Sequence, residues 1–325
     1  MVRRILAVVC LGLGLGLVRG GTAAAAPESI APHTFLLRGA FEPGRQPDGN
    51  SVVLAGPRGL LVVDTGRHPA HTQALIDFAV QREQPVLAIV NTHWHLDHIG
   101  GNPRLRLAFP GVQVHASGAL AGAMDGFLAD YRRQLQQMLR EAGDDAAKRA
   151  PLEAELDILA AGPALAPDHV VQAPGAATLA GLPLQLGLAR GAATAGDVWL
   201  YDASTKVLVA GDLVTLPAPF FDTACASGWT RALAELDAVP FETLVPGHGA
   251  PMGRAEFGRY REAFAGLLAC AAGSATAQSC VDGWLAAAGP LVPPADQPLA
   301  RMLLDYYLGQ SLRGDPPPVR TACGA

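Results

Sequence analysis

A chain of 325 residues, half of them hydrophobic, can bury a large core and is not a disordered polypeptide, and its apolar periodicity persists through the Ala-, Gly- and Pro-rich stretches. The net charge of −5, with 24 basic residues and no Lys/Arg run, argues against nucleic acid or an anionic membrane surface as the main partner. At the N-terminus Arg3 and Arg4 precede an apolar run from Ile5 to Val18, and small residues lead to Ala26 and Pro27. This is the layout of a secretory leader cleaved near Ala26. A retained anchor is the weaker reading, because the run falls short of the ~20 residues a spanning helix needs and is broken by Gly12, Gly14 and Gly16. The division expected is therefore residues 1–26 as signal peptide and 27–325 as one domain, periplasmic or secreted and free of the membrane after cleavage.

Removal of the leader leaves Cys225, Cys270, Cys280 and Cys323, an even number in a chain bound for an oxidising compartment. Four cysteines allow three pairings. Cys270 with Cys280 would close a short loop and leave Cys225 with Cys323 to tie down the tail; four buried thiols are the alternative. None has the close pair spacing of a structural zinc site.

Thr34 to Arg38 and Ser51 to Ala55 read as strands, and Leu60 to Val63 answers the latter across the turn Gly56-Pro57-Arg58-Gly59. Asp64, at that strand's end, either orients a metal-binding histidine or begins the turn. His71 to Arg82 has helical spacing, and the unbroken apolar run Pro85 to Val90 predicts a strand covered on both faces. Val112 to Val114 is the next strand, followed by His115, read as a structural histidine before a pocket one. Ala119 to Ala161 turns helical, with an apolar stripe through Phe127, Leu128, Tyr131, Leu135, Met138 and Leu139 that predicts core packing ahead of a cover over a site.

A second set of strands is expected from about Val170, with Leu184 to Leu188, Val198 to Tyr201 and Val207 to Ala210 among them. Helices follow over Trp229 to Ala238, Arg254 to Ala269 and Pro298 to Ser311, so that a helical appendage occupies about 254–325. In the last helix Tyr306 and Tyr307 are assigned to core packing rather than to a pocket mouth. From Asp315 onward no periodicity remains.

The chemistry concentrates in Asn91-Thr92-His93-Trp94-His95-Leu96-Asp97-His98-Ile99-Gly100-Gly101-Asn102. Three histidines and an aspartate within six positions are too many polar side chains to bury unpartnered. Histidines two apart on an extended segment point to one side, so His93 and His95 can grip one ion, and Asp97 and His98, past the bend, can serve a second beside it. Two further candidates follow strands: Gly211-Asp212 and Pro246-Gly247-His248-Gly249.

The pattern His93-x-His95-x-Asp97-His98, followed downstream by Gly211-Asp212 and by Gly247-His248, resembles the metallo-β-lactamase superfamily. The resemblance covers most of the chain beyond the leader. It implies an α+β fold, an αββα sandwich of two mixed sheets flanked by helices, here with a helical insertion at about 119–161. It implies His93 and His95 as ligands of a first zinc ion, Asp97, His98 and His248 as ligands of a second, and Asp212 as the carboxylate bridging both. A bridging aspartate here is similar to glyoxalase II rather than to true β-lactamases. The implied chemistry is hydrolysis by a zinc-bound hydroxide whose pKa is lowered toward ~7, with Asp97 as the catalytic residue that orients the nucleophile.

One family residue is missing. A third histidine of the first site is expected in a Gly-His-Thr-Pro-Gly-like stretch, and the counterpart here, Ala192-Ala193-Thr194-Ala195-Gly196-Asp197, offers Ala193 in its place. Alanine donates nothing to a metal, so the expectation is one or two zinc ions with the second site favoured and the first weakened. His115 or His169 is the only substitute within reach of a neighbouring loop. Three functions follow: an exported zinc hydrolase of an ester, thioester or related small-molecule substrate; a catalytically silent member that binds metal or a partner; and β-lactam hydrolysis. The fold alone does not choose among them, and no surface stripe specifies an oligomeric state.

Overall fold

Two sheets are built from strands whose burial is nearly complete, because apolar side chains lie on both faces of the central ones. The computed structural model describes residues 26–41, 45–313 and Cys323. The expected leader and the tail beyond Asp315 lie outside these, apart from Ala26 and Cys323.

The first sheet is formed by β1 (Glu28–Ala31), β2 (Thr34–Leu37), β3 (Ser51–Gly56), β4 (Gly59–Val63), β5 (Val86–Val90), β6 (Gln113–Ala116) and β7 (His169–Val170), side by side in chain order. The hairpins up to β4 are antiparallel, and β4 to β7 run parallel through helical crossovers. These crossovers carry α1 (Pro69–Gln81), α2 (Leu96–Ile99), α3 (Asn102–Ala108) and the insertion α4 (Ala119–Asp125), α5 (Phe127–Glu141) and α6 (Ala146–Ala160). The second sheet has the order β12-β11-β10-β9-β8, from β8 (Gly175–Leu179), β9 (Leu182–Arg190), β10 (Gly196–Asp202), β11 (Val207–Thr215) and β12 (Thr243–His248). Helix α7 (Ala226–Ala238) joins its last two strands, and α8 (Arg254–Ala272), α9 (Ala277–Ala288) and α10 (Gln297–Tyr307) follow. No described helix is long and apolar enough to cross a membrane.

Three apolar layers result. Leu54, Leu61, Val63 and Val90 of the first sheet meet Leu186, Val198, Leu200 and Val209 of the second between the sheets. Leu75, Phe78 and Leu105 cover the outside of the first sheet, and Trp229, Tyr260, Phe264 and Trp284 cover the second. This is the expected αββα sandwich of two mixed sheets. Both disulfides that the cysteine count allowed are formed, Cys225–Cys323 and Cys270–Cys280.

Three local expectations need correction. The strand near Val170 belongs to the first sheet, pairing with β6, and the second sheet starts only at Gly175. Strand β1 went unforeseen because it is a short, exposed edge strand without alternation. The strand ending at Ala210 continues to Thr215, since shifts in register around Gly211, whose φ is 55°, let β11 bend while still pairing with β12.

Candidate metal centre

The carboxyl ends of β5, β11 and β12 converge where the two sheets open, and their loops bring together all six residues singled out from the sequence. After β5 the chain bends through Thr92–Trp94, carrying His93, and passes through His95 in extended backbone into α2, which presents Asp97 and His98. Asp212 projects from the bend in β11, and His248 ends β12. Asp212 is the hub: its carboxylate lies 3.6 Å from His93 Nε2, 3.9 Å from His95 Nδ1, 3.4 Å from His98 Nε2 and 3.7 Å from His248 Nε2. His248 Nε2 is 3.0 Å from Asp97 Oδ2.

Such spacing needs backbones without side chains. A Cβ on Gly247 would overlap Asp212 Oδ1, and one on Gly49 would overlap the His98 ring. Asn50 clamps the second turn, its Nδ2 donating to the carbonyls of Pro246 and Gly249 at 2.9 Å each.

Each histidine's proton is directed by its neighbours. Asp64 Oδ2 accepts from His98 Nδ1 at 2.7 Å and from Thr92 Oγ1 at 2.7 Å, while its Oδ1 accepts from the Thr92 amide. Because the Thr92 hydroxyl donates to Asp64, it accepts from His93 Nδ1, 3.0 Å away. Thr223 Oγ1 likewise donates to the Ala193 carbonyl at 3.0 Å and accepts from His95 Nε2 at 3.0 Å. His93 and His98 therefore turn Nε2 toward Asp212, and His95 turns Nδ1. Asp64 thus does more than begin a turn, and it does so in the left-handed region, at φ 58°, which aspartate tolerates.

The electrostatics follow from burial among carboxylates. Burial opposes charge on His98, but Asp64, Asp212 and Asp97 together hold its pKa well above the ordinary value. Burial, with His98 and His95 adding, holds His93 well below it. Burial would neutralise Asp212 and Asp97, yet their histidine neighbours keep both below the usual carboxylate range. Arg67 adds to this at Asp97: its Nη2 is 3.5 Å from Asp97 Oδ1, and its Nη1 sits 2.5 Å from Glu155 Oε2, which also accepts from Tyr131 at 3.0 Å.

His93 Nε2, His98 Nε2 and Asp212 Oδ1 are buried without a hydrogen-bond partner. Leaving each unpaired costs about 1–3 kcal/mol, and a cation among them is the natural partner. Two overlapping donor groups are close enough to hold one: His93, His98 and Asp212; and Asp97, His98 and His248. The residues present fit a metal.

Beyond the donors lies a cavity of about 420 Å³. His95, Asp97, Asp212 and His248 form its floor, and Trp94, Phe127, Phe220, Leu299 and Leu303 stand among its walls. The insertion stripe is thus both core and cover, since Leu128 and Tyr131 are buried and also border the cavity. Tyr307 too packs in the core and reaches the cavity, whereas core packing alone was expected. His115 and His169 stack on each other at 4.7 Å on the edge of the first sheet, and neither substitutes for the missing donor. At that place the loop between β9 and β10 is held instead by Asp197, whose carboxylate accepts from the Thr194 amide and hydroxyl; burial pushes its pKa up to about 7 despite those bonds.

Sequence reasoning missed Arg67, Thr92, Glu155 and Thr223. Glu155 had a signal, a charge in register with Leu152 and Leu159 on the apolar face of α6. Thr223 had none, because it reaches His95 from 128 residues away.

Comparison with known proteins agrees with the layered fold. The family model of the metallo-β-lactamase superfamily matches residues 44–248. A hydroxyacylglutathione hydrolase of Gloeobacter violaceus is 40% identical over 58 residues, 18% of this chain and 23% of its own length. A linear primary-alkylsulfatase of Pseudomonas sp. is 26% identical over 225 residues, 62% of this chain and 41% of its own. The chain spans less than half the length of either relative. Among solved structures, a metallo-beta-lactamase from Pontibacter korlensis superposes with a TM-score of 0.56 at 21% identity, covering 74% of this chain and 98% of that one. The sec-alkylsulfatase Pisa1 from Pseudomonas sp. reaches 0.60 at 19% identity, covering 90% and 51%. By its family match and its layered fold, the chain belongs to the metallo-β-lactamase superfamily.

Proposed function

We propose that the chain is an exported zinc-dependent hydrolase of small-molecule esters, thioesters or related substrates. The observation that carries this reading is the convergence of three unpartnered buried polar atoms, His93 Nε2, His98 Nε2 and Asp212 Oδ1, beside a cavity that Asp212 itself lines together with His95, Asp97 and His248. Asp97, His98 and His248 are the proposed ligands of one ion, His93 and His95 those of another, and Asp212 is shared. Bound zinc would polarise a scissile carbonyl and make water acidic enough to act as a nucleophile near neutral pH. Asp97, kept ionised beside His98, His248 and Arg67, accepts a hydrogen bond from that water and aims it at the carbonyl. The Arg67–Glu155 pair holds Asp97 in place. The two disulfides support an oxidising compartment.

Ala193 favours a second reading, a metal-binding member without turnover. Zinc analysis of purified protein, with hydrolysis assays on ester, thioester and β-lactam panels for wild type and Ala193→His, separates the two. The expected result is one tightly held zinc per chain and ester or thioester hydrolysis by wild type. Two tightly held zinc ions would overturn the weakening of the first position. Turnover by the variant alone, or by neither protein, would leave the binding reading.

A further inference from the structure

The cavity above the donors is built to take something greasy. Helix α10 carries two apolar stripes: Ala300, Leu304 and Tyr307 close into the core, while Leu299 and Leu303, one turn apart, stay half-buried and border the cavity. Phe127 of α5 and Phe220, before α7, face the same space, and both are also only half-buried. Two polar groups beside this apolar face are engaged elsewhere, Asp222 accepting from Ser311 at 2.9 Å and Tyr131 donating to Glu155 at 3.0 Å, while Arg45, Gln46 and Asp296 border other parts of the cavity. A sugar, peptide or nucleotide moiety seated against Phe127, Phe220, Leu299 and Leu303 would lose its water there without regaining hydrogen bonds. An apolar chain loses nothing and gains the hydrophobic term.

We infer that the cavity seats an apolar chain of the substrate, lying between α5 and α10 with the reacting ester or thioester over His95, Asp97 and His248. The inference rests on the hydrolase reading for its reaction, not for its binding site. If a methylene occupies about the ~30 Å³ that a water molecule does in the liquid, a cavity of about 420 Å³ takes on the order of ten methylenes beside the reacting head. In the reaction the carbonyl carbon gains a bond to the oxygen of water and loses its bond to the alcohol oxygen or thiol sulfur. One water proton ends on that leaving group and a carboxylic acid is released. The chain belongs either to the acyl or to the alcohol side, and both place the same methylenes against the same walls.

The test uses the zinc-loaded full chain and straight-chain fatty acids from butyric to dodecanoic acid, titrated by calorimetry. Each methylene should tighten binding about fourfold through the middle of the series, the value of a buried CH₂. In Leu303→Glu that slope should collapse at unchanged zinc content. If this variant fails to fold, Leu299→Gln on the same wall is read instead. Equal affinity along the series in wild type, or a slope untouched in a folded variant, would overturn the inference. Parallel kcat/KM series with lengthened acyl chains and with lengthened alcohols then assign the chain to one side, whichever shows the slope. Hydrolysis of short esters with a flat fatty-acid series would sink the chain site and keep the hydrolase. A steep series with no turnover of any ester would do the opposite.

Discussion

The two sides of the donor cluster are supported by different chemistry. On the Asp97, His98 and His248 side the support is charged: Asp64 takes the His98 proton, the Arg67–Glu155 pair flanks Asp97, and His248 Nε2 meets Asp97 at 3.0 Å. On the His93 and His95 side it is neutral: two threonine hydroxyls and the backbone carbonyl of Ala193, at the place where the family pattern expects a further histidine. Charge-assisted hydrogen bonds are shorter and about twice as strong as neutral ones. The charged side is therefore the one expected to hold a metal firmly.

The largest effect should come from the residue common to both sides. Asp212→Ala removes the carboxylate that all four histidines face, and zinc content should fall on both sides. Hydrolysis should drop by more than the ~10–100-fold that loss of a hydrogen-bonding partner behind a ligand produces. Metal analysis beside the kinetics checks it. Retention of one tight zinc would mean that the charged side stands without its hub.

Acid sensitivity should come from beside the charged side, at His71 of α1, whose titration feels His98. Burial lowers the pKa of His71 from 6.5 to about 4, against the pull of Asp48, and its Nε2 shares a 2.8 Å hydrogen bond with Ser51 Oγ. The unfolded chain takes up this proton as pH falls below 6.5, whereas the folded chain resists until about 4. Folding stability from this group is therefore complete above the upper value and is lost on descent to the lower one, a change of about 3 kcal/mol. Denaturant unfolding of the metal-free protein across that range should show the fall, and His71→Leu should flatten it. An unchanged slope in the variant would assign the acid sensitivity elsewhere.

Next in size is Asp64→Asn. The amide replaces an acceptor with a donor, so His98 must offer Nδ1 as acceptor and carry its proton on Nε2, the atom that faces Asp97 and Asp212. Metal affinity on that side should weaken about 100-fold, read by competition with a chelator. A drop of less than threefold would show that the proton's position does not matter there.

How much of this was legible depended on whether a residue's role is local. The ligand cluster was readable because His93, His95, Asp97 and His98 share six positions and because Asp212 and His248 each follow a short apolar run, although β11 continues past Asp212 to Thr215. The layered fold was readable because the strands are apolar runs bounded by turns. Asp64 was half-readable: its place at a strand end was plain, but only the folded chain puts its carboxylate on His98, 34 residues away. The Arg67–Glu155 pair spans 88 residues and Thr223 reaches His95 across 128, and side chains of their kind are ordinary at exposed positions. The bend at Gly211 was hidden because glycine in a strand has several uses. The role of α10 as a cavity wall was hidden because a helix with two apolar stripes reads as one that is simply buried.

The smallest effect isolates the neutral side. Thr223→Val keeps the shape of the side chain but removes the hydroxyl that accepts from His95 Nε2 and donates to the Ala193 carbonyl. His95 then loses the group that fixes its proton on Nε2, and its two tautomers become closer in energy, so Nδ1 faces Asp212 without a proton only part of the time. Affinity on this side should fall about tenfold, the lower end of the range for partners behind a ligand, because a neutral hydroxyl is replaced rather than a carboxylate. The charged side, which Thr223 does not touch, should keep its zinc. Two-step zinc titration of wild type and variant reads the sides separately: the weak step should move and the tight step should stay. Movement of the tight step would mean that the tight ion sits between His93 and His95 after all, and would reverse the ranking of the two sides.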